Sequence, residues 1–116
     1  MALTLYGIPN CDTVKKAKKW LEAHQQDYQF HDFRKDGLTE QQVTTWCEAL
    51  GWENVLNKRS TSWRNLTDEQ KADLDQAKAV ALMTELPTLV RRPVLDRDNT
   101  FKAGFKDADY QAFFAE

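Results

Sequence analysis

The order of strand and helix patterns in the first third of the chain limits the fold more than any other feature of the sequence. Residues 3–6, Leu-Thr-Leu-Tyr, alternate as a β-strand does, and residues 28–33 alternate again. Between them, residues 12–21 place apolar side chains at helical spacing, with lysines on the opposite face. A strand–helix–strand crossover makes its two strands parallel neighbours in one sheet.

The middle of the chain, at about residues 38–86, is predicted to be a helical insert. Thr39 and Gln42 have the spacing of a capping box, which marks the start of a helix. The insert is predicted to contain, in order, a helix ending at Gly51, an irregular polar stretch over 54–66, a short helix opened by residues 67–70, and a helix over 75–86 ended by Pro87.

The last third returns to β patterns and then ends in a helix. The predicted elements are β-like residues at 88–90, a hairpin with arms at 93–95 and 100–103 joined by a turn at 96–99, and a final helix carrying Tyr110, Phe113 and Phe114. The whole order predicts an α/β fold with a mixed sheet.

Size and charge exclude several classes of protein. With 116 residues, 41% of them hydrophobic, the chain fills one core, so we predict a single domain over residues 1–116 that includes the insert. The 16 basic and 18 acidic side chains give a net charge of −2, which argues against a general nucleic-acid binder. We find no membrane span and no signal peptide, and we expect a soluble cytoplasmic protein that is a monomer.

Cys11, the residue that points most directly to chemistry, follows the first predicted strand and a Gly-Ile-Pro-Asn turn and stands at the start of the predicted helix. Free N–H groups and the helix dipole stabilise a thiolate there, so we expect Cys11 to be a reactive nucleophile. Lys15 adds positive potential, and Asp12 opposes it. Asn10 and Thr13 are expected to offer hydrogen bonds to the sulfur. A buried structural cysteine is the alternative.

The sequence offers Cys11 no neighbouring thiol. Position 14 is Val, so there is no Cys-x-x-Cys pair, and Cys47 lies on the apolar face of a predicted helix, where core packing is expected. We therefore expect the resolving thiol to come from solution, with glutathione as the natural candidate. His24 and His31 lack ligand-like spacing, so we predict no metal site and no tightly bound cofactor.

The arginines are the second chemical feature. Guanidinium groups bind carboxylates and oxyanions in a bidentate manner, which makes Arg59, Arg64 and Arg92 candidates for anion binding. Arg92 precedes Pro93, and the sequence leaves open whether the bond between them is cis or trans; the hypothesis is that a cis bond here would bring a main-chain segment up against Cys11.

Four segments together resemble the arsenate reductase (ArsC) family, above all its YffB-type subgroup. They are residues 6–17 (Tyr-Gly-Ile-Pro-Asn-Cys-Asp-Thr-Val-Lys-Lys-Ala), 57–59 (Asn-Lys-Arg), 86–94 and 94–106. The resemblance spans essentially the whole chain, and it implies a thioredoxin-like fold: a mixed four-stranded sheet with a helical insert.

The resemblance also implies roles for individual residues. In the arsenate-reducing members a cysteine attacks arsenate, three arginines hold the oxyanion, and glutathione with glutaredoxin completes the reduction. Carried over by position, Cys11 is the nucleophile, and Arg59 and Arg92 are the first two arginines. Lys106 stands in for the third, as a point charge without the bidentate fork.

The loop around Cys11 differs from the pattern of the arsenate-reducing members, and this difference favours thiol chemistry over arsenate reduction. Asp12 replaces a small residue, and its carboxylate repels arsenate at close range. We therefore expect a glutathione-dependent thiol oxidoreductase that binds glutathione through Asn10, Thr13, Lys15, Arg59, Arg92 and Lys106. The alternatives are an arsenate reductase that uses glutathione and glutaredoxin, and an Spx-like regulator that binds RNA polymerase. Val14 weakens the regulator alternative, because Spx-type proteins typically carry a Cys-x-x-Cys switch.

Overall fold

The computed structural model describes residues 3–115 and contains a four-stranded sheet. Its elements in chain order are β1 (Leu3–Gly7), α1 (Asp12–Ala23), β2 (Gln29–Asp32), α2 (Glu40–Leu50), α3 (Trp52–Val55), α4 (Thr61–Arg64), α5 (Asp68–Lys71), α6 (Gln76–Glu85), a 3-10 helix (Pro87–Leu89), β3 (Val94–Arg97), β4 (Thr100–Ala103) and α7 (Asp107–Phe114). Every helix in this part of the chain is too short or too polar to cross a bilayer.

The strand order is β2-β1-β3-β4, and the sheet is mixed as predicted. β1 and β2 are parallel, because α1 returns the chain to the same end of the sheet, whereas β1–β3 and β3–β4 are antiparallel. The predicted β3–β4 hairpin is confirmed, but its turn is shorter than predicted: Asp96 and Arg97 pair with Phe101 and Thr100 as part of the strands. Asp98 and Asn99 alone form the turn, each with a positive φ, as a tight hairpin turn requires.

One face of the four-stranded sheet packs against α1 and α7 and forms a hydrophobic core with them. Alternate strand residues point to this face, and they pack against the apolar sides of α1 and α7. The buried members of this cluster are Leu3, Leu5, Ala17, Trp20, Leu21, Leu95 and Tyr110. The packing fixes the start of α1 relative to the end of β1.

The chain divides into two compact units. The first contains the residues up to Gly37 and those from Arg92 onward, and it holds the whole sheet. The second, Leu38–Arg91, begins where the insert is predicted to begin and continues past its predicted end. That the units behave as a single domain stays a prediction.

Within the second unit, α2 packs against α6. The predicted capping box is present at the start of α2. The Thr39 hydroxyl accepts from the Gln42 amide at 3.1 Å, and the Gln42 side chain accepts from the Thr39 amide at 2.9 Å. Gly51 ends the helix with a φ of 89°, a conformation that suits glycine.

Two predictions within this unit are wrong. The stretch 54–66, predicted to be irregular, contains the end of α3 and the whole of α4, which are too short to show a period in the sequence. Residues 88–90, predicted to be β-like, begin in a 3-10 helix, because Pro87 starts a turn in which the amide of Val90 bonds to the Pro87 carbonyl at 3.1 Å. Val90 itself forms only an isolated bridge to Leu56.

Candidate functional site

Cys11 occupies the N-cap position of α1, just beyond the carboxyl end of β1. Its backbone is extended, with φ −111° and ψ 124°, and its carbonyl accepts the first helical bond from Lys15 at 3.0 Å. The side chain is partly exposed and makes no capping bond to the amides of Asp12–Ala23. Cys11 is therefore a partly exposed residue beside the free N–H groups of the helix.

Gly7 allows α1 to start close to the end of β1. A Cβ atom at this position would lie 2.8 Å from Cγ2 of Val14, which is fully buried. Only glycine therefore fits where the first turn of α1 meets the strand. The sequence predicts Gly7 only as part of a turn, because the close approach depends on how the helix packs and leaves no local signal.

The register of the sheet places two cationic segments at the edge where Cys11 lies. Tyr6 pairs with Val94, and Val94 pairs with Ala103. The residues before Val94 and after Ala103 therefore leave the sheet at the end from which the Cys11 loop also departs. These two flanking segments carry Arg92 and Lys106.

The two cationic segments are joined to each other. The amide of Gly104 donates to the carbonyl of Pro93 at 2.9 Å, and the Arg92–Pro93 peptide bond, whose isomer the sequence left open, is cis. Lys106 then occupies the N-cap position of α7, where it is exposed.

The cations predicted to bind glutathione have no ion-pair partner within the part of the chain that the structure describes. Within residues 3–115, the side chains of Lys15, Arg59, Arg92 and Lys106 make neither a salt bridge nor a hydrogen bond. A described lysine elsewhere does have a partner, since Lys102 lies 3.9 Å from Asp109. The charges of the four side chains are thus available to an anionic ligand.

The predicted site residues divide between the two units. Asn10, Cys11, Thr13, Lys15, Arg92 and Lys106 belong to the first unit. Arg59 belongs to the second, where it lies between α3 and α4, so its convergence on Cys11 stays a prediction.

Cys47 is a core residue, as predicted. Its side chain is 1% exposed on the inner face of α2. Burial, with a smaller contribution from the Glu48 carboxylate, raises the pKa of the Cys47 thiol to about 11. It is therefore a poor nucleophile at neutral pH.

The histidines are engaged in packing. His24 stacks on Trp20 with ring centroids 3.8 Å apart, and its Nδ1 lies 2.8 Å from the Trp20 carbonyl oxygen. His31 Nε2 lies 2.7 Å from the Gly37 carbonyl oxygen. Across residues 3–115, no group of three or more His, Cys, Asp or Glu side chains is arranged to hold a metal ion.

Sequence comparison places this site within a family. The model of the ArsC family matches residues 6–113. This chain belongs to the ArsC family. An uncharacterized protein of Haemophilus influenzae is 46% identical over 113 residues, covering 97% of this chain and 99% of that protein. The global transcriptional regulator Spx of Lactiplantibacillus plantarum is more distant, at 26% identity over 111 residues, 94% of this chain and 83% of the regulator.

Solved structures of ArsC-related proteins share the fold. The YffB protein is 44% identical, with a TM-score of 0.92 over 96% of this chain and 97% of its own. An arsenate reductase (ArsC) related protein from Brucella melitensis is also 44% identical, with a TM-score of 0.79 over 100% of this chain and 97% of its own. The predicted family and the thioredoxin-like fold are both confirmed.

Proposed function

We propose that this ArsC-family protein is a glutathione-dependent thiol oxidoreductase whose nucleophile is Cys11. The observation that carries the proposal is the contrast between its two thiols. Cys11 is partly exposed at the N-terminus of α1, whereas Cys47 is buried in the core. Membership of a family of thiol-based reductases supports the same chemistry.

The proposed reaction is a pair of thiol–disulfide exchanges. The Cys11 thiolate attacks the glutathione sulfur of a mixed disulfide R–S–S–G, forming Cys11–S–S–G and releasing RS⁻, which takes up a proton. The thiolate of a second glutathione then attacks that glutathione sulfur, releases the Cys11 thiolate and forms glutathione disulfide. The R sulfur is reduced to a thiol, and one glutathione thiol is oxidised; it leaves as glutathione disulfide together with the glutathione unit that the substrate already carried in disulfide form.

The surrounding side chains recognise glutathione in this proposal. Glutathione carries two carboxylates, which suit the cations Lys15, Arg59, Arg92 and Lys106, since none of these has an ion-pair partner between residues 3 and 115. Asn10 and Thr13 flank the nucleophile. Within residues 3–115 neither side chain is hydrogen-bonded to the Cys11 sulfur, so in this proposal they form hydrogen bonds only once glutathione is bound. The site requires no tightly bound cofactor.

The setting of the reaction belongs to the proposal as well. A catalytic thiolate with a solution thiol as resolving partner requires a reducing compartment, so we propose the cytoplasm as the location. We propose that the protein acts as a monomer and that glutaredoxin is its candidate protein partner.

Turnover of a glutathione mixed disulfide tests the proposal. The glutathione disulfide formed is followed by coupling to glutathione reductase. We expect Cys11→Ser to abolish turnover and Cys47→Ser to retain it, because the second thiol is buried. Activity that survives Cys11→Ser, or no activity in the unmodified protein, would overturn the proposal.

Arsenate reduction is a second candidate, favoured by the arsenate reductase related protein of Brucella melitensis. The exposed Asp12, which directly follows the nucleophile, opposes it because its carboxylate repels an oxyanion. An assay with arsenate, glutathione and glutaredoxin distinguishes the two activities. Formation of arsenite would establish this candidate, and its absence would retire it.

Regulation of transcription is a third candidate, from a different class, favoured by the Spx relatives that align with most of this chain. Val14 removes the Cys-x-x-Cys pair on which a redox switch of that type depends. Direct binding to purified RNA polymerase, together with a Cys11→Ser variant that behaves normally in cells, would favour the regulator over the enzyme.

A further inference from the structure

We propose that Asn57 and Arg64 are positioning residues, which fix the backbone of Arg59 so that its guanidinium is presented to an anionic group of the substrate. This inference rests on the proposed function, in which Arg59 attracts a glutathione carboxylate. It concerns residues 57–64 of the second unit, called the Arg59 loop below, and the two residues have no role in the proposed exchange itself.

Asn57 holds the amide side of Arg59. Its side-chain Oδ1 accepts a hydrogen bond from the Arg59 N–H at 3.0 Å, which closes an Asx turn. Its carbonyl accepts from the Ser60 hydroxyl at 2.9 Å. The chain is thus folded back on itself on both sides of Arg59.

The turn is attached to buried main chain. The Asn57 amide donates to the Leu89 carbonyl at 2.8 Å, and the preceding Leu56 forms a bridge with Val90. The side chains of Leu56, Leu89 and Val90 are all at most 1% exposed. The main chain at Asn57, where the Arg59 loop begins, is therefore held in place by buried neighbours.

Arg64 holds the carbonyl side of Arg59. Its Nη2 donates to the Arg59 carbonyl at 3.2 Å from the last turn of α4. That helix is itself anchored, since Ser60 caps it by accepting from the Trp63 amide at 3.1 Å and the Ser62 hydroxyl is hydrogen-bonded to the Thr88 hydroxyl. Both backbone polar groups of Arg59 are therefore satisfied within the loop.

The Arg59 side chain contrasts with this bonded backbone. Arg59 is exposed, and its guanidinium makes no hydrogen bond or ion pair to any residue from 3 to 115. The bond from Arg64 competes with water for an exposed carbonyl, so its net worth is that of one ordinary hydrogen bond. It restrains the Arg59 backbone and brings a second guanidinium close to Arg59. Because the backbone of Arg59 is already restrained, the residue loses less conformational entropy when it binds an anion.

Steady-state kinetics with glutathione as the varied substrate test this inference. We expect Arg64→Ala and Asn57→Ala to raise the KM for glutathione by about three- to tenfold, roughly the worth of one lost orienting bond, with little change in kcat. Arg64→Lys keeps a charged donor and should restore most of the affinity. The surface variant Lys19→Ala, which removes one positive charge elsewhere, should leave KM unchanged.

A double-mutant cycle separates positioning from direct binding. If Arg64 acts through Arg59, Arg64→Ala raises KM in the unmodified protein but adds nothing to Arg59→Ala. Additive effects would show instead that Arg64 binds the substrate itself, which would overturn the positioning role. If Arg59→Ala alone raises KM while Arg64→Ala and Asn57→Ala do not, the inference fails and the proposed function stands. If Arg59→Ala has no effect on KM, the proposed role of Arg59 fails and the inference fails with it.

Discussion

The main-chain amide of Gly104 donates a 2.9 Å hydrogen bond to the carbonyl of Pro93. Pro93 directly follows Arg92, and Gly104 lies two residues before Lys106. The bond therefore links the two cationic segments at one end of the β3–β4 hairpin. Because β3 pairs with β1, this corner lies at the edge of the sheet from which the Cys11 loop departs. The first unit thus places a partly exposed cysteine at the same sheet edge as Arg92 and Lys106, two cations without an ion-pair partner among residues 3–115.

The two thiols should differ in reactivity. At neutral to slightly alkaline pH, we expect iodoacetamide to label Cys11 at least about 100-fold faster than Cys47, because burial and a pKa of about 11 leave little Cys47 thiolate. Mass spectrometry of digested protein over a time course measures both rates. Cys11→Ser should remove the fast phase and Cys47→Ser should leave it, so comparable labelling of the two residues would contradict the account.

Substitution of Gly7 should disturb the nucleophile from a distance. We expect Gly7→Ala to destabilise the fold by about 1–3 kcal/mol, because the new Cβ meets the fully buried side chain of Val14 at 2.8 Å, and to change the labelling rate of Cys11. Urea unfolding and the labelling assay measure the two effects.

Gly37→Ala is the matched control. Gly37 has a φ of 83°, and a Cβ atom at this position would meet open space, so the substitution should cost about 1 kcal/mol through backbone strain and leave Cys11 labelling unchanged. Equal effects of the two variants on Cys11 would show that the contact with Val14 does not position the nucleophile.

The sequence predicted those parts of the fold that depend on neighbours along the chain. The capping box of Thr39 and Gln42, the mixed sheet and the burial of Cys47 follow from local spacing, and the structure confirms each of them. The turn at Pro87 and the bracing of Arg59 by Arg64 were not predicted, because they depend on hydrogen bonds in segments too short to show a period. The placement of Arg59 beside Cys11 remains a prediction of the family resemblance.

Removal of the Arg92 guanidinium should weaken glutathione binding. We expect Arg92→Ala to raise the KM for glutathione by about tenfold, the low end of the range for a lost charge-assisted hydrogen bond. Lys106→Arg should retain or improve the affinity, since a guanidinium offers a bidentate fork to a carboxylate. Steady-state kinetics measure both, and an unchanged KM in Arg92→Ala would remove Arg92 from the proposed site.

Tyr110 should affect stability through its buried hydroxyl. That hydroxyl has no hydrogen-bond partner among residues 3–115, and burial raises the pKa of Tyr110 above its ordinary value. Because the pKa of Tyr110 is higher in the folded state, the folded protein loses stability once the pH rises above the pKa of tyrosine in the unfolded chain, about 10. We expect Tyr110→Phe to unfold with a free energy equal to that of the unmodified protein, or up to about 1 kcal/mol higher, at neutral pH, and to lose less stability above pH ~10.

Tyr28→Phe is the comparison for Tyr110. The exposed Tyr28 hydroxyl donates to Glu22 Oε2 at 3.0 Å, so its removal should bring no gain in stability at neutral pH. Urea unfolding at neutral and alkaline pH measures both variants. A loss of more than about 1 kcal/mol in Tyr110→Phe would show that its hydroxyl is hydrogen-bonded in the folded protein.

The mixed disulfide with glutathione tests the central claim most directly. The protein is incubated with glutathione disulfide, digested without reduction and mapped by mass spectrometry, and a parallel sample is then treated with reduced glutathione. We predict a glutathione adduct on Cys11 alone, which reduced glutathione removes to restore the free thiol. An adduct on Cys47, no adduct at all, or an adduct on Cys11 that reduced glutathione does not release would contradict the account.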